Sequence, residues 1–503
     1  MDVPSTLPSL LRAAPGRSTA VVIPETDVAV TYESLERQVV SMAESLAGIG
    51  IRGGRVASVL PNGLPTIVSF LASSIAGTAA PLNPAYRYEE FCFYLEDTSA
   101  EVLLCPTEGA EEARRAAQDR KVPVFTVDMD EQGVVRILNV PKQGSVSDPS
   151  PDDVALILHT SGSTGRPKRV PLRHKNMTIS CRNVANTYAL TPEDVSLCVM
   201  PLFHIHGLIA STLSTFLTGG TVVVPSKFSP LSFWRTVRDH RVTWYSAVPT
   251  IHQLILARMG EGRSKKTEGA ESLRFVRSCS AALPPQVMEK LENLFEVPVL
   301  EAYGMTEASH QMCSNPLPPK ERKPGSVGLG TGVQVSIMDE EGKHLKSGET
   351  GEIVIKGPNV TSGYENNPEA NAVSFVDGWF RTGDQGVIDE HGYLTLTSRI
   401  KELINRGGEK IAPREIDDIL LMHPAVAEAV AFGMPHPTWG EEVAVAVVLR
   451  DPQPEAALLD FCRERMADFK CPKKIHIVET IPRTATGKIQ RRAVAAAFSD
   501  AKQ

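Results

Sequence analysis

The stretch Val154-Ala-Leu-Ile-Leu-His-Thr-Ser-Gly-Ser-Thr-Gly-Arg-Pro-Lys168 changes character part-way along. Val154 to Leu158 is an unbroken apolar run of strand length, the pattern of a strand buried on both faces. From there the chain turns to hydroxyls and glycines: Thr160, Ser161, Gly162, Ser163, Thr164 and Gly165, closed by Arg166, Pro167 and Lys168. Glycines let a backbone approach phosphate oxygens, hydroxyls and amides donate hydrogen bonds to them, and Lys168 adds charge. A triphosphate suits such a loop. The segment is not a Walker-type P-loop, because Pro167 stands where that motif needs Gly and Lys168 is followed by Arg169, not Ser or Thr. Taken alone it reads equally as a plain flexible loop, so the rest of the chain decides.

Upstream, Leu35, Val39, Met42, Leu46 and Ile49 recur at helical spacing and predict one apolar helical face ended by Gly50 and Gly53-Gly54. Arg55 to Leu60 reads as a buried strand, followed by a helical stretch to about Gly77 and another short strand at Thr78 to Leu82. Strands alternating with helices imply βαβ units and largely parallel sheets. Pro141 to Asp153 is polar and rich in turn formers, so it is a loop, and Glu261 to Glu271 is a charged surface loop. Beyond Arg399 a different unit begins. A helix is expected from Pro413 to Met422, strands at Val426–Phe432 and Val443–Leu449, a helix at Pro454–Ala467 and a short strand at Ile475–Val478. The expected fold is α/β: a large N-terminal domain, 1–400, with parallel-rich sheets, and a small, mobile α+β C-terminal domain, 401–503.

The 503 residues carry 52 Lys and Arg against 59 Asp and Glu, a formal charge of -7, which argues against a nucleic-acid footprint or an electrostatic membrane anchor. The eight cysteines are scattered without metal-ligand spacing and read as buried free thiols. No apolar run reaches the roughly 18 residues of a membrane span, and the N-terminus lacks a leader pattern. A cytoplasmic location is expected; the end Ala501-Lys502-Gln503 falls short of a peroxisomal Ser-Lys-Leu address.

Further segments, in order, give the loop its context. With Ser161–Lys168 they resemble the blocks of the adenylate-forming superfamily of acyl-CoA synthetases, luciferases and peptide-synthetase adenylation domains. Pro201-Leu-Phe-His-Ile-His-Gly207 is similar to the block lining the acyl pocket, and Glu301-Ala-Tyr-Gly-Met-Thr-Glu307 to the adenine and magnesium block. Trp379-Phe-Arg-Thr-Gly-Asp384 resembles the ribose block, Ser398-Arg-Ile-Lys-Glu402 the hinge, and Pro482-Arg-Thr-Ala-Thr-Gly-Lys488 the C-terminal catalytic loop. The resemblance spans nearly the whole chain.

It implies an enzyme using ATP, Mg²⁺ and coenzyme A. Thr160 to Gly165 and Lys168 would hold phosphates. Ser280, Ala281, Ala282, Glu301, Ala302, Tyr303 and Gly304 would surround the adenine, with Tyr303 offering a ring face. Thr306 would give a hydroxyl to phosphate, Glu307 an oxygen to Mg²⁺, and Asp384 and Arg399 would hold the ribose. Lys488 would meet the carboxylate and α-phosphate as charge builds, with His204, Thr306 and Glu307 as its catalytic companions. No general base is needed, since an acid of low pKa is already ionised. Lys401 matches the pivot on which the small domain turns, and Gly407, Gly408, Glu409 and Lys410 match the loop that then approaches the pantetheine channel. The chain departs from the pattern at Arg169, where Gly is usual, and at Ser163, where Thr is common.

Tyr245–Gln253, Arg277–Ala282, Met305–His310 and Ile400–Ile411 look closer to one branch, the oxalate–CoA ligases of plants and fungi, although Gly304 is often Ala there. A fatty-acid tunnel would be apolar, whereas His204, His206, Ser278 and His310 offer donors for a second carboxylate on a short acid. Oxalate is the favoured substrate, with malonate or another short dicarboxylate and a medium-chain fatty acid as alternatives. A noncatalytic nucleotide- or RNA-binding regulator is the rival class; the presence of Lys488, Glu307, Asp384 and Arg399 and the acidic charge oppose it. An amino-acid adenylation domain lacks support because no Asp near Phe203-His204 would meet an α-ammonium.

Overall fold

The computed structural model describes residues 4–140, 143–160, 167–259, 271–484 and 488–499. Ser161, Gly162, Ser163, Thr164 and Gly165, most of the surface loop from Glu261, and the C-terminal tripeptide lie outside the described residues. The apolar run at Val154 forms strand Val154–Thr160, whose last residue stands opposite Lys168 in the antiparallel strand Lys168–Arg173. These two strands edge a seven-stranded sheet. Its inner pairings, Arg55–Ser58 with Thr78–Pro81 and Val102–Pro106, are parallel, as the βαβ reading requires. The amphipathic helix is Tyr32–Gly48, with Leu35, Val39, Met42 and Leu46 buried.

A nine-stranded sheet follows. Its central six strands, Thr19–Ile23, Thr221–Val223, Val195–Leu197, Trp244–Ala247, Phe275–Ser278 and Val299–Met305, are all parallel. Open parallel sheets bind ligands beyond the carboxyl ends of their strands. Here those ends deliver Ser278, Met305 and the segments after them. A third, antiparallel sheet pairs Trp379–Ile388 with Leu394–Arg399 and sets Asp384 opposite Arg399.

Strands Ile404–Arg406, Glu409–Ile411, Val426–His436, Gly440–Leu449 and Lys474–Ile477 build a separate five-stranded sheet. Among the described residues, every cluster of buried apolar side chains lies wholly up to residue 396 or wholly from 404 onward. Contacts across the junction are polar: Arg414 donates to the Leu396 carbonyl at 2.8 Å and Lys410 pairs with Glu340 at 2.9 Å. The helix expected at Pro454–Ala467 is shorter, Glu455–Arg463, because Arg465 and Met466 both turn their N–H groups back to the Cys462 carbonyl. The strand from Val426 runs beyond Phe432 to His436, carried by pairing with Gly440–Leu449. All eight cysteines are free and buried, and no helix among the described residues is long and apolar enough to cross a membrane.

Glu301 sits within strand Val299–Met305 at 3% exposure, its carboxylate accepting from the Leu283 amide at 3.4 Å and the Gly325 amide at 3.1 Å. Burial pushes its carboxyl up to about 7. The folded protein therefore holds this proton over a pH range in which the unfolded chain has lost it. Its contribution to stability is complete below the unfolded pKa of 4.5 and is lost as pH rises through about 7. Denaturant titrations should show wild type losing up to roughly 3 kcal/mol between pH 4.5 and 8 relative to Glu301→Gln, which carries no titrating group there. Identical pH profiles for the two proteins would contradict this.

Candidate active site

Four side chains from distant segments meet where the first two sheets face each other. Glu307, 5% exposed in the single turn Thr306–Ala308, accepts on Oε1 from Thr160 Oγ1 at 3.3 Å and Tyr364 Oη at 2.8 Å. Lys168 Nζ lies 4.4 Å from the centre of the Tyr364 ring. Desolvation pushes the Lys168 ammonium below its ordinary value, with Glu307 opposing. Glu307 Oε2 has no hydrogen bond among the described residues, and Mg²⁺ bound through phosphates and water needs only one or two carboxylates. The donor set fits that ion: Glu307 would hold it, and the neighbouring cation would face the phosphates.

Beside it stands a second constellation. Tyr303 donates its hydroxyl to Asp384 Oδ2, and Asp384 Oδ1 pairs with Arg399 Nε at 2.9 Å. Asp384 holds the Arg399 guanidinium above its usual value, against desolvation. Lys488, from the C-terminal sequence, reaches this corner: desolvation lowers its ammonium, then Arg399, while Asp384 and Glu307 act the other way. Its backbone is tied into a tight loop, Thr484 N–H donating to Lys488 O at 2.7 Å and Lys488 N–H to Thr484 Oγ1 at 3.1 Å. Ala281 and Ala282 are exposed just past strand Phe275–Ser278, Ser280 carries a φ of 75°, and Ala302 is buried in its strand.

The third group is polar and almost dry. The helix His206–Leu213 is wound as a π-helix, a form frequent at functional sites. Gly207 allows it to start there, since a Cβ would sit 2.5 Å from the carbonyls of Met200 and Pro201. His204 Nδ1 accepts from the His206 amide at 3.2 Å. The rings of His206 and His310 lie 5.4 Å apart. His206 contacts Ser280 Oγ at 3.1 Å through Nδ1 and Ser246 Oγ at 2.6 Å through Nε2. Desolvation lowers His204 to about 3, with Lys488 adding to it, and holds His206 and His310 well below their ordinary value, helped by Arg277. All three are neutral imidazoles at physiological pH. Ser278 Oγ, in a residue 1% exposed, has no partner at all among the described residues.

His310 adopts φ 111° and Ser309 φ 51°, both unusual for residues with a Cβ. Gly304 makes the first possible: a Cβ there would stand 1.9 Å from the His310 carbonyl oxygen. Arg169, the departure from the family loop, does not face the phosphate corner. Its guanidinium donates to the Asp97 carbonyl and lies 3.1 Å from Glu365, bracing the strand that leaves the loop. Lys401 is exposed in the turn Ile400–Glu402, where desolvation and Lys168 lower its ammonium. Gly407 and Gly408 form the tip of the hairpin Ile404–Arg406/Glu409–Ile411; Glu409 is exposed and Lys410 is held out at Glu340.

Three contributors escaped the sequence reading. Tyr364 lies in an unremarked turn, Ser246 inside an apolar strand, and Arg277 in the strand Phe275–Ser278. A charged residue in the middle of a buried strand was the available signal for the last.

The AMP-binding enzyme family matches residues 11–365, and its AMP-binding enzyme C-terminal domain matches 415–488. An oxalate–CoA ligase of Arabidopsis thaliana is 47% identical over 462 residues, covering 89% of each chain. One from Saccharomyces cerevisiae is 45% identical over 521 residues, covering 96% of this chain and 95% of its own. Among solved structures, ATP-bound MatB of Rhodopseudomonas palustris superposes with a TM-score of 0.91 at 30% identity, over 99% of this chain and 100% of that one. The chain belongs to the AMP-binding enzyme family.

Proposed function

We propose that the protein is an ATP-dependent acid–CoA ligase that activates oxalate as an acyl-adenylate and transfers the oxalyl group to coenzyme A, releasing AMP and pyrophosphate. The observation carrying the choice of acid is the polar pocket: His206 and His310 as neutral imidazoles 5.4 Å apart, with the Ser280 hydroxyl on His206 Nδ1 at 3.1 Å. His206 is already held by Ser280 and Ser246, but an apolar acyl chain would leave the outer edge of His310 unsatisfied, at a cost of about 1–3 kcal/mol. The similarity to the plant and yeast oxalate–CoA ligases supports the same reading.

One oxalate carboxylate is the nucleophile and is ionised at any physiological pH. Lys168 and Lys488 draw charge off the phosphates, Arg399 and Asp384 position the ribose, and Tyr303 backs the adenine. Mg²⁺ on Glu307 would add charge neutralisation at the polyphosphate. Positioning and electrostatics carry the rate, as in other phosphoryl and adenylyl transfers. For the second step the domain boundary lies at residues 400/401, and the small domain turns about Lys401 to bring Gly407–Lys410 toward the pantetheine arm.

A second reading, a medium-chain acid, draws on a cavity of about 710 Å³ lined by Leu60, Met200, Val248, Ile251 and Leu254. Pyrophosphate release with ATP, Mg²⁺ and CoA across oxalate, malonate, succinate, hexanoate and octanoate separates the two. Oxalate should lead; octanoate leading would move the acyl site into that cavity.

Replacing Lys488 with Ala should slow oxalate-dependent adenylation by about 10²–10³-fold while sparing thioester formation from supplied oxalyl-AMP. Equal loss in both half-reactions would remove Lys488 from the first step. The double change Ser278→Ala with His310→Ala should raise the oxalate KM by roughly 10-fold or more and leave the ATP KM within about twofold. An unchanged oxalate KM would take both residues out of the pocket.

A further inference from the structure

Arg277 is fully buried, at 0% exposure, in the middle of strand Phe275–Ser278. Its Nε donates to Tyr188 Oη at 2.8 Å, Nη1 to Ser246 Oγ at 2.8 Å, and Nη2 to Gln311 Oε1 at 3.1 Å. Every one of these acceptors is neutral, and no carboxylate pairs with it among the described residues. A buried charge left without a counter-ion costs several kcal/mol, and a guanidinium cannot escape by losing its proton. The other groups at its fork are the Cys279 thiol and the two pocket imidazoles, His206 Nε2 and His310 Nδ1, each imidazole nitrogen at 3.5 Å.

Because a guanidinium only donates, both imidazole nitrogens that face it must be the bare, lone-pair nitrogens. Ser246 Oγ, accepting a hydrogen bond from Arg277, turns its own hydrogen toward His206 Nε2 at 2.6 Å. The ring protons then sit on His206 Nδ1 and His310 Nε2, the edges turned away from Arg277. The cation also opposes protonation of both rings. Its effect is a pocket in which His310 presents an N–H donor, His206 Nδ1–H engages the Ser280 hydroxyl at 3.1 Å, and the positive charge lies one ring behind them.

Resting on the oxalate reading above, we propose that Arg277 is the positioning residue that makes the pocket select a dianionic acid: the substrate's second carboxylate supplies the counter-charge that the protein withholds. The carboxylate meets His310 and the His206–Ser280 pair directly, and Arg277 acts through the two imidazoles.

Oxamate, with one carboxylate of oxalate replaced by a neutral amide of the same shape, is the probe. Wild type should give a much higher kcat/KM for oxalate than for oxamate. In Arg277→Gln or Arg277→Met the oxalate-to-oxamate ratio should fall by roughly 30-fold or more, with the ATP KM unchanged. Arg277→Lys, which keeps the charge, should recover a large part of the ratio. Melting temperatures identify which neutral variant is folded and is to be read; Met, which packs without polar demands, guards against a misfolded Gln variant. A folded neutral variant that keeps the wild-type ratio, or loses activity on both acids equally, overturns the role of Arg277 and leaves the oxalate reading standing. A wild type with no preference for oxalate over oxamate overturns the inference without any variant. A wild type that turns over octanoate and neither small acid brings down the substrate reading and this inference together.

Discussion

Lys488 and Arg399 are like charges that face one corner of the site, and the working arrangement depends on what offsets their repulsion. Asp384 compensates Arg399 through its 2.9 Å pair, and Glu307 is the other carboxylate felt by Lys488. Lys168 adds a further cation, and a polyphosphate suits a corner on which several cations converge. The contacts that hold the C-terminal sheet against the rest of the chain are polar and its apolar core is its own. Little besides this corner therefore gains from keeping Lys488 in place. On the proposed mechanism, departure of pyrophosphate removes the larger part of the counter-charge and weakens the docking that the first step requires, which is the direction a two-step enzyme needs.

The same corner explains why the fold uses several sheets. Parallel strands put their carboxyl ends on one edge, and Ser278, Tyr303 and Glu307 come from neighbouring strands there. The cations arrive from elsewhere: Lys168 from an antiparallel edge strand, Arg399 from a separate antiparallel sheet, Lys488 from the last loop. A single sheet would set such charges side by side along one edge, where they would repel without substrate. Distributing them lets each be braced by its own scaffold, as Arg169 and Glu365 brace the strand of Lys168.

The sequence was most informative where chemistry is local. Apolar periodicity located Tyr32–Gly48 and Val154–Thr160, and ordered blocks identified the residues that gather around Glu307 and Asp384. It was least informative where function depends on neighbours in a sheet. Ser246, Arg277 and Gln311 lie far apart in the chain, and each sits in a strand that reads as ordinary core; only lateral pairing makes them one polar network. Glu301 shows another limit. Its block implied nucleotide contact and said nothing of the side chain's own partners, the amides of Leu283 and Gly325. Element ends were missed for a related reason, since the shared Cys462 carbonyl that closes the helix at Arg463 leaves no mark in composition.

Pocket dimensions here are set by backbone as much as by side chains. His310 holds a φ of 111° with its carbonyl against Gly304, and the pairing of strands Val299–Met305 and His310–Ser314 slips by one residue at that place. A methyl group at 304 would demand that the His310 carbonyl move, because 1.9 Å is far inside any contact distance. The imidazole would move with it, and its alignment with Arg277, 3.5 Å away, would be lost or re-made. Gly207 plays the matching part on the other wall, where the π-helix carrying His206 packs onto the carbonyls of Met200 and Pro201. The two histidines are thus positioned by close backbone approaches that only glycine permits. A relative with alanine at the position of Gly304 must place its His310 counterpart on a different backbone path, so identical pocket side chains need not produce an identical preference among acids.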